Sequence, residues 1–207
     1  MAAVVQADPV PPESRRWNHN IHHHPVVLAA VPEGCRRALD VGCGEGRLTR
    51  ELQPLVEQVV GLDSDEDSIE LARAQAGGTL EYLVGDVLTH PFEAQSFDLV
   101  TSVATLHHVD AAAGLTRMAE LLSPGGVLVV IGCARSRLPA DLPYELAAMV
   151  GHRLQRLTKP VWEHPSPTVW PPPETYTGMR RLATDLLPGA RFRRHLLWRY
   201  SLVWTKP

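Results

Sequence analysis

Two hundred and seven residues, 44% hydrophobic and 21% charged with a formal charge of -3, describe one globular domain with or without a small appendage. That balance excludes a disordered or fibrous chain, and no apolar run approaches the ~20 residues of a membrane span, so no membrane partner is expected. Three widely spaced cysteines, Cys35, Cys43 and Cys133, form neither a disulfide framework nor a zinc pattern, and the absence of a secretory signal makes the cytoplasm the expected location.

Residues 1–34 read as an N-terminal arm. Pro9, Pro11 and Pro12 forbid regular structure, and a polar run follows from Trp17 to Pro25 that contains His19, His22, His23 and His24. His19 and His23 are spaced as metal ligands on a helix would be, but carboxylates are missing nearby and the segment is expected to be extended. No metal is therefore expected. The arm's expected role is a lid over the domain formed by residues 35–207, excluding water from a site.

From Arg37 onward, short apolar runs alternate with helix-period segments. Ala38-Leu39-Asp40-Val41 reads as a buried strand ending in a glycine loop, and Leu48, Leu52 and Leu55 recur at helical spacing. Gln58 to Leu62 is a second strand ending at Asp63. Ser64, with Asp67 three residues on, marks a helix start, and Ile69, Ala72 and Ala76 supply that helix's apolar face. Leu80 to Val84 and Phe97 to Ser102 are the third and fourth strands. Leu115, Met118, Ala119 and Leu122 form a helical stripe, and Pro124-Gly125-Gly126 turns into a fifth strand, Val127 to Ile131. Strands separated by helices indicate an α/β, doubly wound, mostly parallel sheet covered on both faces. Beyond this core (residues 36–134), residues 135–207 hold helices at Tyr144 to Leu157 and Thr175 to Leu187, around a proline-rich loop. They end in a β-rich segment, Ala190 to Thr205, read as an antiparallel pair on the sheet edge.

The densest chemical signal is Leu39-Asp40-Val41-Gly42-Cys43-Gly44-Glu45-Gly46, with Asp63 twenty-one residues after Gly42. Glycines between a strand and a helix let backbone approach a ligand, and an acid closing the next strand is placed to accept from ribose hydroxyls. The spacing is Gly-x-Gly-x-Gly, not the longer dinucleotide form. A carboxylate at Asp40 would oppose a pyrophosphate but suits a ligand carrying ammonium and sulfonium charges.

This run resembles motif I of the class I S-adenosylmethionine-dependent methyltransferases. The resemblance continues through Asp63, Asp86-Val87, Phe97-Asp98-Leu99-Val100, Leu106-His107-His108-Val109 and Leu122 to Gly126, about half the chain. It implies a Rossmann-like seven-stranded sheet with a reversed final strand and S-adenosylmethionine at the C-terminal strand edges, with S-adenosylhomocysteine as product. It further implies that Asp40 lies near the methionine ammonium, directly or through water, and that Gly42, Cys43 and Gly44 lend backbone to the methionine and ribose. Asp63, with Ser64 beside it, would hold the ribose, Asp86 and Val87 the adenine, and Val103 the methionine tail. His107 and His108, after the fourth strand, are the candidate general bases.

The acceptor is expected to be a small molecule methylated on O or N. Trp162, Trp170 and Tyr176 are expected to line its pocket. An Asn/Asp-Pro-Pro-aromatic run, as nucleic-acid amino-methyltransferases carry, is replaced here by Ser102-Val103-Ala104-Thr105, so a nucleic-acid partner is not expected. The charge split keeps RNA and peptide acceptors as alternatives, together with a non-catalytic cofactor-binding module. Residues 150–207 hold ten Lys/Arg and three Asp/Glu (+7), leaving -10 for the remainder.

Overall fold

Strand alternation decides how the layers assemble. In β1 (Arg37–Val41), Leu39 and Val41 turn to one face of the sheet and Ala38 to the other. In β5 (Leu122–Gly132), Leu128 and Val130 likewise oppose Val127, Val129 and Ile131. Both sets are buried, which is why these strands read as continuous apolar runs. The computed structural model describes residues 16–159, 161–162 and 170–207. The first part of the arm and most of the proline-rich loop lie outside the described residues.

The remaining strands are β2 (Gln58–Asp63), β3 (Leu80–Val84), β4 (Phe97–Val103), β6 (Arg191–Arg194) and β7 (Tyr200–Thr205). They form one seven-stranded sheet in the order β3-β2-β1-β4-β5-β7-β6. β1 to β5 pair in parallel, while β7 runs antiparallel to both β5 and β6, so the reversed strand is present as expected. Strand order changes direction beside β1, between β2 and β4, and such a switch point opens a crevice at the C-terminal edge.

One face is covered by α4 (Ala111–Leu121) and α6 (Tyr176–Leu186), through Leu115, Met118, Leu121, Met179 and Ala183. The other is covered by α1 (His24–Leu28) and α2 (Arg47–Leu52), through Val27, Leu48 and Leu52. α3 (Glu66–Ala74) packs Ile69 and Ala72 against Tyr82 of β3. α5 (Leu142–Arg156) stands apart, with Ala148 alone among its residues counted as buried apolar surface.

Three local expectations are corrected. The histidine run of the arm is helical, not extended. The Asn18 side chain accepts from the Asn20 and Ile21 amides, a 3-10 turn spans Ile21–His23, and Pro25 sits in the first turn of α1, where its missing N–H costs nothing. Second, α3 is capped by Asp65, which accepts from the Ser68 amide, leaving Ser64 exposed in front of it. Third, the Pro124-Gly125-Gly126 turn lies within β5. The strand starts at Leu122 opposite Phe97, and the turn is absorbed as a bulge before Val127 pairs with Leu99.

Candidate active site

β1 ends where Gly42 takes a left-handed turn, φ +72°, and a side chain there would drive into Thr105. Only glycine fits. The amides of Gly42 and Cys43 both donate to the Leu62 carbonyl, at 2.7 and 3.1 Å, and the Gly44 amide donates to Asp63 Oδ2 at 2.8 Å. Three N–H groups that would cradle a phosphate in a dinucleotide loop are therefore used inside the protein. What the loop offers a ligand is close approach with negative charge beneath it.

Asp63 closes β2 beside that loop. Its second oxygen accepts from the Asp65 amide at 3.0 Å, and a carboxylate with one donor on each oxygen keeps acceptor capacity for hydroxyls. Asp40 lies deeper, 1% exposed, with its oxygens accepting from Thr49 of α2 at 2.8 Å and Thr101 of β4 at 3.0 Å. Burial pushes its carboxyl up to about 6, against the pull of those two hydroxyls. Asp40 thus acts from below the loop, pinning α2 and β4 to β1. Burial, with the neighbouring carboxylates of Asp40 and Asp63, also raises the Cys43 thiol well above its ordinary range, so it stays protonated.

Asp86 follows β3 in an exposed turn, one oxygen accepting from the Leu88 amide, with Val87 buried behind it. Val103 ends β4, half-buried. Beyond it, a 3-10 turn at Leu106–His108 separates the two histidines. His108 is exposed. His107 lines a tight crevice of about 10 Å³ with Leu106, Cys133, Glu174, Met179 and Tyr200, and its buried Nδ1 has no hydrogen-bond partner. Burial, then the charges of His108 and Arg199, lower it to about 4, so its ring is neutral at pH 7.

The described part of the arm packs against α5 and the turn before β7. Trp17 is buried, His19 Nε2 meets His152 Nδ1 at 2.9 Å, and the Trp162 amide donates to the Trp17 carbonyl. Arg199, at the entry to β7, donates from Nε and Nη2 to Asn20 Oδ1 at 2.9 and 2.8 Å and from Nη1 to the Trp198 carbonyl, with no ion-pair partner among the described residues. Neither Arg199 nor the hydroxyls holding Asp40 stood out in the sequence. The one available signal was that a reversed final strand starts at the ligand edge, which places Arg199 there. Of the expected aromatic walls, Tyr176 is buried against Tyr200 and beneath Arg194, whereas Trp170 is 74% exposed. Among the described residues no group of three or more His, Cys, Asp or Glu is placed to hold a metal ion.

These titrations predict the acid limb of stability. His19, His23 and His107 are each held at about 4 by burial first and neighbouring positive charge second, against 6.5 for a free imidazole. Their contribution is complete above pH 6.5 and is lost as pH falls through 4. Asp40 has the opposite sign: raised from 3.8 to about 6, it contributes fully below 3.8 and loses that as pH rises through 6. Three histidines outweigh one carboxyl, so unfolding between these limits takes up protons and the melting temperature should fall from pH 6.5 to 4. A flat or rising profile by calorimetry contradicts this balance.

A methyltransferase domain model matches residues 39–130. An uncharacterized methyltransferase of Mycobacterium tuberculosis is 36% identical over 193 residues, covering 92% of this chain and 98% of that protein. The chain belongs to the class I S-adenosylmethionine-dependent methyltransferases. This methyltransferase is also 36% identical over 107 residues to a ubiquinone biosynthesis O-methyltransferase of Cereibacter sphaeroides, covering 50% of this chain and 43% of that one. The solved S-adenosylmethionine-dependent methyltransferase of Mesorhizobium loti shares the fold, with a TM-score of 0.61 at 21% identity over 89% and 97% of the two chains. The methyltransferase's own loop agrees with its cofactor. Spent amides and the clustered acids Asp40 and Asp63 suit a ligand with cationic groups and a ribose better than one with a pyrophosphate.

Proposed function

We propose that this methyltransferase moves a methyl group to an O or N atom of a small molecule by in-line displacement. The observation that carries the reading is the narrow cleft between His107 and Tyr200, at the C-terminal ends of β4 and β5. Its lining, Leu106, Met179 and Tyr200 with His107 and Glu174 beside them, suits a small apolar acceptor carrying a polar group. Two of the C-terminal arginines are engaged within the protein: Arg194 with Asp141 and Tyr176, and Arg199 with Asn20.

In this reading Gly42, Cys43 and Gly44 lie along the methionine and ribose, and Asp63 with Ser64 takes the ribose hydroxyls. Asp86 and Val87 flank the adenine, Val103 the methionine tail, and Asp40 supplies charge from below. S-adenosylmethionine brings a methyl group already activated by its sulfonium. The chain's task is to orient the acceptor and keep water out, and such positioning is worth about 7–11 kcal/mol. His107 is the better placed of the two candidate bases, since it lines the crevice and has an unpartnered Nδ1, while His108 is exposed. A base in that place adds roughly 10²–10⁴-fold for a hydroxyl or ammonium acceptor. The arm, residues 1–34, serves as the lid of the domain 35–207.

A labelled-methyl assay over phenols, carboxylic acids, amines, peptides and RNA tests this. Transfer to a small molecule is expected, with a His107→Gln variant losing turnover but retaining S-adenosylhomocysteine binding. Transfer confined to RNA or peptides, or cofactor binding without any transfer, would overturn it.

A further inference from the structure

We propose that the outer face of α5 seats this methyltransferase in the plane of an anionic lipid surface. The helix is inside out. The residues it turns inward, Glu145, Ala148, His152 and Gln155, recur at helical spacing just after the N-cap Asp141, and all but one are polar. Their groups are engaged: Glu145 accepts from the Ser136 hydroxyl and from Trp198 Nε1, Asp141 accepts from Arg194, and His152 meets His19. The residues it turns outward are Leu142, Leu146, Met149, Val150 and Leu154, followed by Leu157 just past its end, and they are 46% to 80% exposed. An ordinary surface helix shows the reverse arrangement, and a continuous exposed apolar stripe marks a face that meets something other than water.

Charge selects the occupant. Arg153 lies within the stripe and Arg156 stands exposed at its end, with Lys159 beyond it over the Trp17 ring. On the preceding loop Arg137 flanks Leu138, which is 68% exposed. Both acids, Asp141 and Glu145, are turned inward, so the outward face is apolar and cationic with no carboxylate. A two-fold contact between copies of the chain through this stripe would set two faces of the same positive sign against each other with no acid on the helix to pair them. An anionic bilayer fits both features: leucines enter the acyl boundary while arginines extend to the phosphates. Such seating lies in the membrane plane and needs no span, and no helix among the described residues is long and apolar enough to cross a membrane. The sequence expectation of no membrane partner rested on the absence of a span, which leaves this mode open. Because α5 touches His19 of the arm and the Trp198 turn, the seated protein would present its ligand edge near the headgroups.

Co-sedimentation of the full chain with phosphatidylcholine vesicles, with and without about a third phosphatidylglycerol, tests the proposal. Binding to the anionic vesicles is expected, at least about tenfold weaker on neutral vesicles or in high salt. Leu146→Gln with Leu154→Gln should weaken it at least about tenfold, with the thermal melt and S-adenosylhomocysteine affinity unchanged because both side chains lie outside the core. Arg153→Glu, which keeps the stripe, should also weaken it. Absence of binding to anionic vesicles overturns the proposal, as does binding insensitive to these substitutions. A dimer in sedimentation that the leucine changes dissolve, without vesicle binding, assigns the face to a second copy and overturns it too. Cofactor affinity, read in every variant, keeps this result separate from the assignment of the active site.

Discussion

Replacing Asp63 with alanine is expected to weaken binding of both S-adenosylmethionine and S-adenosylhomocysteine about 100-fold or more while the chain stays folded. The carboxylate does two things in one place. It accepts from the Gly44 and Asp65 amides, which shapes the loop, and it keeps acceptor capacity for two ribose hydroxyls. Hydrogen bonds to a charged group contribute roughly 1.5–3 kcal/mol each, so losing two of them accounts for the factor. Folding suffers less, because Asp63 lies at a strand end, half-buried and outside the apolar clusters. Asp63→Asn should fall between the two, keeping one acceptor oxygen. Titration calorimetry reads the affinities and a thermal melt reads the fold. An affinity loss below about tenfold would take Asp63 out of the ribose site.

Arg199→Met should cut turnover by about 10- to 100-fold without lowering the melting temperature. The guanidinium is half-buried and holds the arm through Asn20, with no ion-pair partner among the described residues. An apolar side chain of similar length removes a half-buried charge, a change that is often neutral or stabilising. The loss falls on the arm, which keeps Arg16–Glu45, His24–Glu51 and the buried Trp17 and Val27 but loses its tie to the turn before β7, and small misplacements at a reacting centre cost up to about 100-fold. Arg199 is thus a positioning residue, and two readouts separate this from a merely structural role. The His107 titration should move up, since the Arg199 charge is one of the causes that lower it. Asn20→Ala should reproduce the turnover loss, and the double variant should be no worse, because both residues lie on one link. Additive losses, or an unmoved His107, would refute the link.

Much of the sheet was legible in the sequence, and particular residues show why. β1, β2 and β3 each end at a residue that cannot continue the strand, Gly42, Asp63 followed by Ser64, and Gly85 followed by Asp86, so their ends and the ligand edge were marked together. The arm was misread because its helicity comes from an Asn18 side chain closing a turn and from Val27 finding the core, neither of which appears in a periodicity. His107 and His108 are equivalent in sequence. A 3-10 turn sends one to the cleft and leaves the other exposed. Arg199 looked like any other arginine of the basic tail, and only the reversal of β7 against β5 sets it at the ligand edge.

The bond between Asn20 and Arg199 joins positions 179 residues apart. During synthesis, β1 to β5 and the glycine loop would all have left the ribosome before this second anchor is made, while Arg16, His24 and Val27 of the arm already have Glu45, Glu51 and the apolar layer of α2 as partners. A nascent chain halted after β5 would therefore have the loop and Asp63 but lack the tie that joins Asn20 to the last strand pair. The last strand pair adds this tie to an arm already anchored through Val27, Arg16 and His24, so the Asn20 end of the arm is fastened late, when nearly all of the chain has been made.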